Sequence, residues 1–193
     1  MTRYILSGGY PWKAADGGKA FAQAVVQGFR EPVQILECLF ARSRDAWDQA
    51  LSSDKEMFAT LLPDTRVQLQ LAEPETFIEQ IRSADVVYIR GGDWDPLVAA
   101  LGKSPGWEKV LDGKTLVGGS AGAMLIAKYD YDIDALKLHE GLGLLPVKAQ
   151  VHYRSDYNAP NVDWDKADAE LKNYREDLPI LNLGEGEFEV IEQ

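Results

Sequence analysis

The segment Leu116-Val117-Gly118-Gly119-Ser120-Ala121-Gly122-Ala123-Met124-Leu125 runs from an apolar strand through a turn of small residues into an apolar helix start. A side chain at the tip of so sharp a strand-to-helix turn needs strained backbone angles. The residues two before and two after it must also be small, or they collide with the adjoining strand and helix. Gly118 and Gly122 meet that need around Ser120, and Gly119 and Ala121 keep the rest of the turn small. The stretch reads as a serine nucleophile on an elbow, with the first N–H groups of the next helix turned toward a developing oxyanion. A turn that only packs a helix on a sheet can carry the same spelling, so the remainder of the chain has to decide.

The remainder alternates. Arg3 to Ser7, Val33 to Phe40, Val67 to Leu71 and Asp85 to Ile89 are short apolar or alternating runs that read as strands. Between them, residues 17–29, 44–62 and the stretch from Pro74 through Phe77, Ile78 and Ile81 carry helical spacing. Val147 to Tyr153, Pro179 to Asn182 and Glu187 to Ile191 add strands, and Ala167 to Tyr174 adds a helix within the polar stretch Arg154 to Asp177. Strands alternating with helices imply βαβ units, hence an α/β fold with a mainly parallel sheet between helical layers. At 193 residues, with no internal repeat or low-complexity linker, the chain is expected to form a single domain over residues 1–193.

Charge and cysteine content exclude several function classes. A net charge of −11 opposes phosphate binding, so nucleic acid is not an expected partner, nor is an anionic membrane surface. No apolar run approaches the roughly 18 residues of a membrane span, and the start of the chain enters a strand directly, so a cytoplasmic protein is expected. The single cysteine, Cys38, lies in an apolar run and reads as a core residue. With two histidines and no Cys/His cluster, no metal site is expected. The oligomeric state is not fixed by these features, and a homodimer is left open.

A second glycine turn follows a buried strand at Tyr88-Ile89-Arg90-Gly91-Gly92-Asp93-Trp94. It places unhindered N–H groups at the carboxyl edge of a parallel sheet, where such folds bind ligands. The serine elbow leaves its strand at the same edge, so the two turns can share an oxyanion. Arg90 and Arg154 flank the proposed turn and base, and either could pair with an acidic side chain or a terminal carboxylate, which suggests a preference for an acidic residue before the scissile bond. The hydroxyl needs a base. His152 stands at a strand end near that edge, whereas His139 lies in polar helix or loop sequence, so His152 is the expected base. The orienting acid is sought in Lys128-Tyr129-Asp130-Tyr131-Asp132-Ile133-Asp134, where alternation puts all three carboxylates on one face if the stretch is extended. Glu185 or Glu187 near the last strand are the fallback.

Taken together, the turn Gly91 to Asp93, the elbow around Ser120, the Gly141-Leu142-Gly143-Leu144-Leu145-Pro146 segment and the strand ending in His152-Tyr153 resemble the dipeptidase E and cyanophycinase family of serine peptidases. That resemblance implies a class I glutamine amidotransferase-like, flavodoxin-like fold. It also implies a serine hydrolase that cleaves short peptides without a metal or organic cofactor. The nucleophile falls on Ser120, the base on His152, and the oxyanion donors on Gly91 or Gly92 and Ala121. Comparison with the spacing in dipeptidase E favours Asp134 as the acid, with Asp132 and Asp130 behind it. Asp93, beside the glycines, is a candidate substrate contact, although this chain has Gly91-Gly92-Asp93-Trp94 where the family usually writes Gly-Gly-Asn-Thr. The main alternative is a non-catalytic ligand-binding or scaffold protein on the same fold, since fold alone does not fix function. An esterase of the α/β-hydrolase type lacks its HGGG motif here, and an amidotransferase would carry cysteine at the elbow.

Overall fold

The computed structural model describes residues 1–155, 157 and 162–193. Part of the polar stretch 154–177, within which the sequence predicts a helix, therefore lies outside the described residues. The strands are β1 (Arg3–Ser7), β2 (Val33–Cys38), β3 (Val67–Leu71), β4 (Val86–Ile89), β5 (Thr115–Gly119), β6 (Tyr129–Asp132), β7 (Lys137–Glu140), β8 (Lys148–Val151), β9 (Ile180–Leu183) and β10 (Phe188–Glu192). The α-helices are α1 (Lys19–Val26), α2 (Trp47–Leu61), α3 (Phe77–Ser83), α4 (Trp94–Leu101), α5 (Ala121–Ile126) and α6 (Trp164–Asn173).

Strands β1 to β5 and β10 form a six-stranded sheet in the order β10-β1-β5-β4-β2-β3, parallel except for β10 against β1. Period-two alternation sorts its side chains to two faces. Ile5, Ile35, Val86, Tyr88 and Val117 pack with Phe21 and Val25 of α1 and Phe58 of α2. Their sequence neighbours Leu6, Leu36, Val87, Ile89 and Leu116 pack instead with Phe77 and Ile81 of α3, Leu97 of α4 and the apolar residues of α5. Because both faces are covered, the central strands β1, β4 and β5 are buried on both faces, and each fully buried Ile, Leu or Phe contributes about 1.5–3 kcal/mol of burial free energy. This is the expected α/β arrangement with a mainly parallel sheet.

A second sheet was not legible in the sequence. Strands β6 to β9 form a separate four-stranded sheet in the order β7-β6-β8-β9, with β8 parallel to both β6 and β9. Thus β8, which carries the chain to His152, does not belong to the strand set that holds Ser120. His139, expected in helix or loop, sits on β7, paired across an antiparallel ladder with Asp130 of β6. The polar spelling Lys137-Leu138-His139-Glu140 carries no apolar alternation, which is why the strand was hidden.

The chain steps from β2 outward to β3, then returns to place β4 on the other side of β2. The carboxyl ends of strands around such a reversal form a crevice, the usual ligand position in a parallel α/β sheet. The connections after β1, β2, β4 and β5 all reach it.

Candidate active site

Ser120 stands between β5 and α5 with φ 51° and ψ −115°, a left-handed conformation rare for a residue with a side chain. Its backbone is fixed on both sides. Its N–H donates to Ser7 O at 3.0 Å, and its carbonyl accepts from Ala123 N at 2.8 Å and Met124 N at 3.1 Å. The small flanking residues are required by contact. A Cβ on Gly118 would lie 2.5 Å from the Gly122 carbonyl, and one on Gly122 would lie 2.3 Å from Ile89 O.

The second glycine turn does lie against the serine. A Cβ on Gly91 would stand 2.8 Å from Ser120 Cβ and 3.3 Å from its Oγ. The turn is fastened to the connection after β2, because Asp93 N–H donates to Ala41 O at 2.8 Å and Arg42 Nε donates to Gly91 O at 3.1 Å. Among the described residues no hydrogen bond engages the N–H groups of Gly91, Gly92 or Ala121. Asp93 is exposed at the head of α4 and lines the same cleft as Ser120.

His152 reaches Ser120 from the second sheet through Gly8 and Gly9, the turn after β1. His152 N–H donates to Gly8 O at 3.1 Å, and Nε2 lies 3.0 Å from Ser120 Oγ. Its φ of 52° is also left-handed, so the histidine as well as the serine sits at a constrained position. The ring is buried, and this burial pulls its pKa below the ordinary histidine value, opposed in part by the Glu185 carboxylate.

Glu185, not Asp134, faces the other ring nitrogen. Its Oε1 lies 3.4 Å from His152 Nδ1, longer than a well-formed hydrogen bond, and neither atom has another hydrogen-bond partner among the described residues. The opposite oxygen is ion-paired with Lys13. The turn carrying Glu185 docks on the glycine pair after β1. Gly186 N–H donates to Gly9 O at 2.9 Å, and Gly8 N–H donates to Glu187 O at 3.1 Å. Gly8 and Gly9 are therefore the hub on which the His152 and Glu185 segments meet, a role that no motif advertised.

The three aspartates considered from sequence are dispersed. Strand β6 ends at Asp132, so the extended alternation stops before Asp134, which lies exposed in the turn to β7 and acts on His152 only through its charge. Asp132 accepts the N–H groups of Asp134 and Ala135, each at 2.9 Å, and shapes that turn. Asp130 is buried beside His139. The two arginines considered as substrate contacts are also engaged. Arg90 is buried in an ion cluster with Asp54 and Glu37, and Arg154 is tied to Asp165 and Asp168 of α6. Cys38 is buried and unpaired by any disulfide, and burial pushes its thiol pKa up, in keeping with a core role.

The cleft over Ser120 measures about 380 Å³, within the usual range of small-ligand sites. Its rim includes Tyr10, Trp12 and Tyr157.

A serine on a strand-to-helix elbow, met by an imidazole at the ligand edge of an α/β sheet, has the layout of a serine hydrolase. The chain belongs to peptidase family S51, whose family model matches residues 40–192, a span that includes Gly91, Ser120, His152 and Glu185. It is a serine-type peptidase. Among solved structures it is similar in fold to a protein described as a candidate peptidase E from Listeria monocytogenes EGD-e, with TM-score 0.67, 17% identity, and coverage of 99% of this chain and 97% of that one. A peptidase from an acI-B1 Actinobacterium is similar with TM-score 0.52 and 18% identity, over 79% of this chain and 69% of that chain. Among curated proteins none matches the chain.

Proposed function

We propose that this peptidase cleaves short peptides through Ser120 as nucleophile, His152 as general base and Glu185 as the carboxylate that orients the base. The 3.0 Å approach of His152 Nε2 to Ser120 Oγ is the observation that carries the reading. A neutral imidazole with its proton on Nδ1, toward Glu185, leaves the Nε2 lone pair to accept the serine proton as Oγ attacks the carbonyl carbon. The ring then returns that proton to the leaving amine, and water repeats the sequence to release the acid. The depressed pKa of His152 favours this neutral starting state. The N–H groups of Gly91 or Gly92 and of Ala121 are the proposed oxyanion donors, since they lie beside the serine and are not engaged by the fold.

The recessed position of the pair, in a cleft of about 380 Å³, suits a short peptide better than a folded chain. The net charge of −11 supports peptide rather than nucleic acid as substrate, and the lone buried thiol fits a cytoplasmic protein. No helix among the described residues is long and apolar enough to cross a membrane.

The test uses a fluorophosphonate probe and a panel of dipeptides. Wild type is expected to label at Ser120 and to turn over members of the panel. Ser120→Ala should not label, should lose activity by about 10⁴ or more, and should keep its unfolding temperature. A folded wild-type protein that takes no label would overturn the proposal and leave a non-catalytic binder.

A further inference from the structure

The imidazole of His152 is confined by two neighbours. Against one side lies Gly9, with φ +113°, where a Cβ would stand 2.4 Å from the ring Cε1, so a side chain there would displace the base. Tyr157 stacks on the ring with centroids 3.8 Å apart and planes 11° from parallel. This tyrosine is no loose rim residue, because it also packs against the apolar cluster of Tyr131, Ile133 and Ala167. Tyr10 adds a tilted ring 5.7 Å from His152 and 6.1 Å from Tyr157.

From this geometry we propose that Tyr157 is a positioning residue for the base. With Gly9 it fixes the plane of the imidazole so that Nε2 meets Ser120 and Nδ1 meets Glu185. Its π-face also stabilises the imidazolium that forms when the serine proton moves to Nε2. The catalytic part of this inference rests on the Ser120–His152 reading above.

The physical need is specific to a buried base. Each turnover puts a positive charge on a ring that burial disfavours charging. A cation over an aromatic face gains more when water is excluded than at an exposed site. The other groups that act on the ring are Glu185, Lys13 and Asp134, while those that act on Tyr157 are Asp134, Tyr10, Asp93 and Glu185. All of these charges are retained when Tyr157 alone is changed, so substitution isolates the aromatic face.

The chain's two histidines make proton NMR of the imidazoles a direct readout, with His139→Gln serving to assign them. In wild type the His152 ring protons should resonate upfield, as expected for protons stacked over an aromatic ring. Tyr157→Phe should keep that shift and stay within about twofold in activity, because the π-face remains. Tyr157→Leu keeps the site dry but removes the face. It should lose the upfield shift, lower the His152 pKa, and move the acid limb of the kcat/KM profile in the same direction. Its kcat should fall by about tenfold with a smaller change in KM. Tyr157→Ala admits water and should move the pKa upward instead.

A folded Tyr157→Leu protein with unchanged resonance, acid limb and kcat would overturn the proposal. So would a rise in KM at constant kcat, which would make Tyr157 a wall for substrate only. Should the leucine variant unfold, Tyr157→Met carries the same readouts. If the NMR effects hold but wild type neither labels nor turns over peptides, the catalytic reading of Ser120 fails and the aromatic clamp stands.

Discussion

The two histidines of this chain each stand beside a buried carboxylate, yet the two pairs differ in almost everything that matters for chemistry. His152 and Glu185 are 3.4 Å apart, with side-chain exposures of 4% and 5%. His139 and Asp130 are 3.6 Å apart, with exposures of 20% and 0%. Glu185 has Lys13 on its second oxygen, whereas both oxygens of Asp130 lack hydrogen bonds among the described residues and burial pushes that carboxyl's pKa up. His152 lies flat on Tyr157, while His139 meets Trp94 edge-on at 4.2 Å. Burial holds His152 below its ordinary pKa, but the neighbouring Asp130 holds His139 above it.

A carboxylate beside an imidazole is therefore not by itself a catalytic signature. A base needs its free nitrogen against a hydroxyl and a setting that keeps the ring neutral at working pH. His152 has both, whereas the setting of His139 favours the protonated ring.

The comparison can be broken first at the imidazoles. His152→Ala should lower kcat by about 10⁴, because members of a triad act as a unit, while His139→Ala should stay within about threefold. Steady-state kinetics on both variants checks this, and comparable losses would put His139 in the machinery. The carboxylates give the next largest effect. Glu185→Gln should lower kcat by roughly 10²–10⁴ through loss of tautomer and orientation, with Ser120 still labelled slowly by the probe. Asp134→Asn and Asp130→Asn, assayed alongside at one pH, should remain within a few-fold of wild type. A collapse confined to Asp134→Asn would return the acid to the hairpin turn.

The smallest effect sharpens the electrostatic contrast. A histidine with a depressed native pKa binds fewer protons folded than unfolded, so through His152 stability rises with pH across the window below about 6.5 and flattens above it. A histidine with a raised native pKa acts oppositely. The contribution of His139 is fully present below about 6.5 and is lost as pH climbs through its folded value. Thermal unfolding from pH 5 to 8 should show His152→Gln losing the rise and His139→Gln losing the fall. Each difference should be about 1–2 °C, since His139 is partly exposed and its charge is screened. Parallel curves for the two variants would contradict the opposite signs.

The sequence made the elbow and the second glycine turn legible because their requirements are local. Gly118 and Gly122 are forced by atoms within a few residues or on the adjoining strand, and short apolar runs such as Val86 to Ile89 announce strands buried on both faces. The approach of His152 to Ser120 is less local, because β8 belongs to the second sheet and meets the elbow's sheet through Gly8. The carboxylate that stands beside His152 was not the first choice. The spacing comparison pointed to Asp134 as the aspartate farthest from the elbow, but β6 stops at Asp132 and its turn leaves Asp134 in solvent, while the fallback Glu185 faces Nδ1. Nothing in the sequence likewise signalled the ion-pair partners of Arg90 and Arg154, which are Asp54, Glu37, Asp165 and Asp168.

Residue order alone was enough for the alternating strands and helices of the first sheet, the strained serine and the small residues that permit it, because sterics and periodicity act over one or two turns of chain. Three-dimensional packing was needed to show that there are two sheets, that Glu185 rather than an aspartate faces His152, and that Tyr157 stacks on its ring. Those choices depend on how β8, β9 and the turn to β10 dock on Gly8 and Gly9. Backbone hydrogen bonds and close approaches between segments far apart in the chain set that docking, and they leave no periodic trace in the residues that make them.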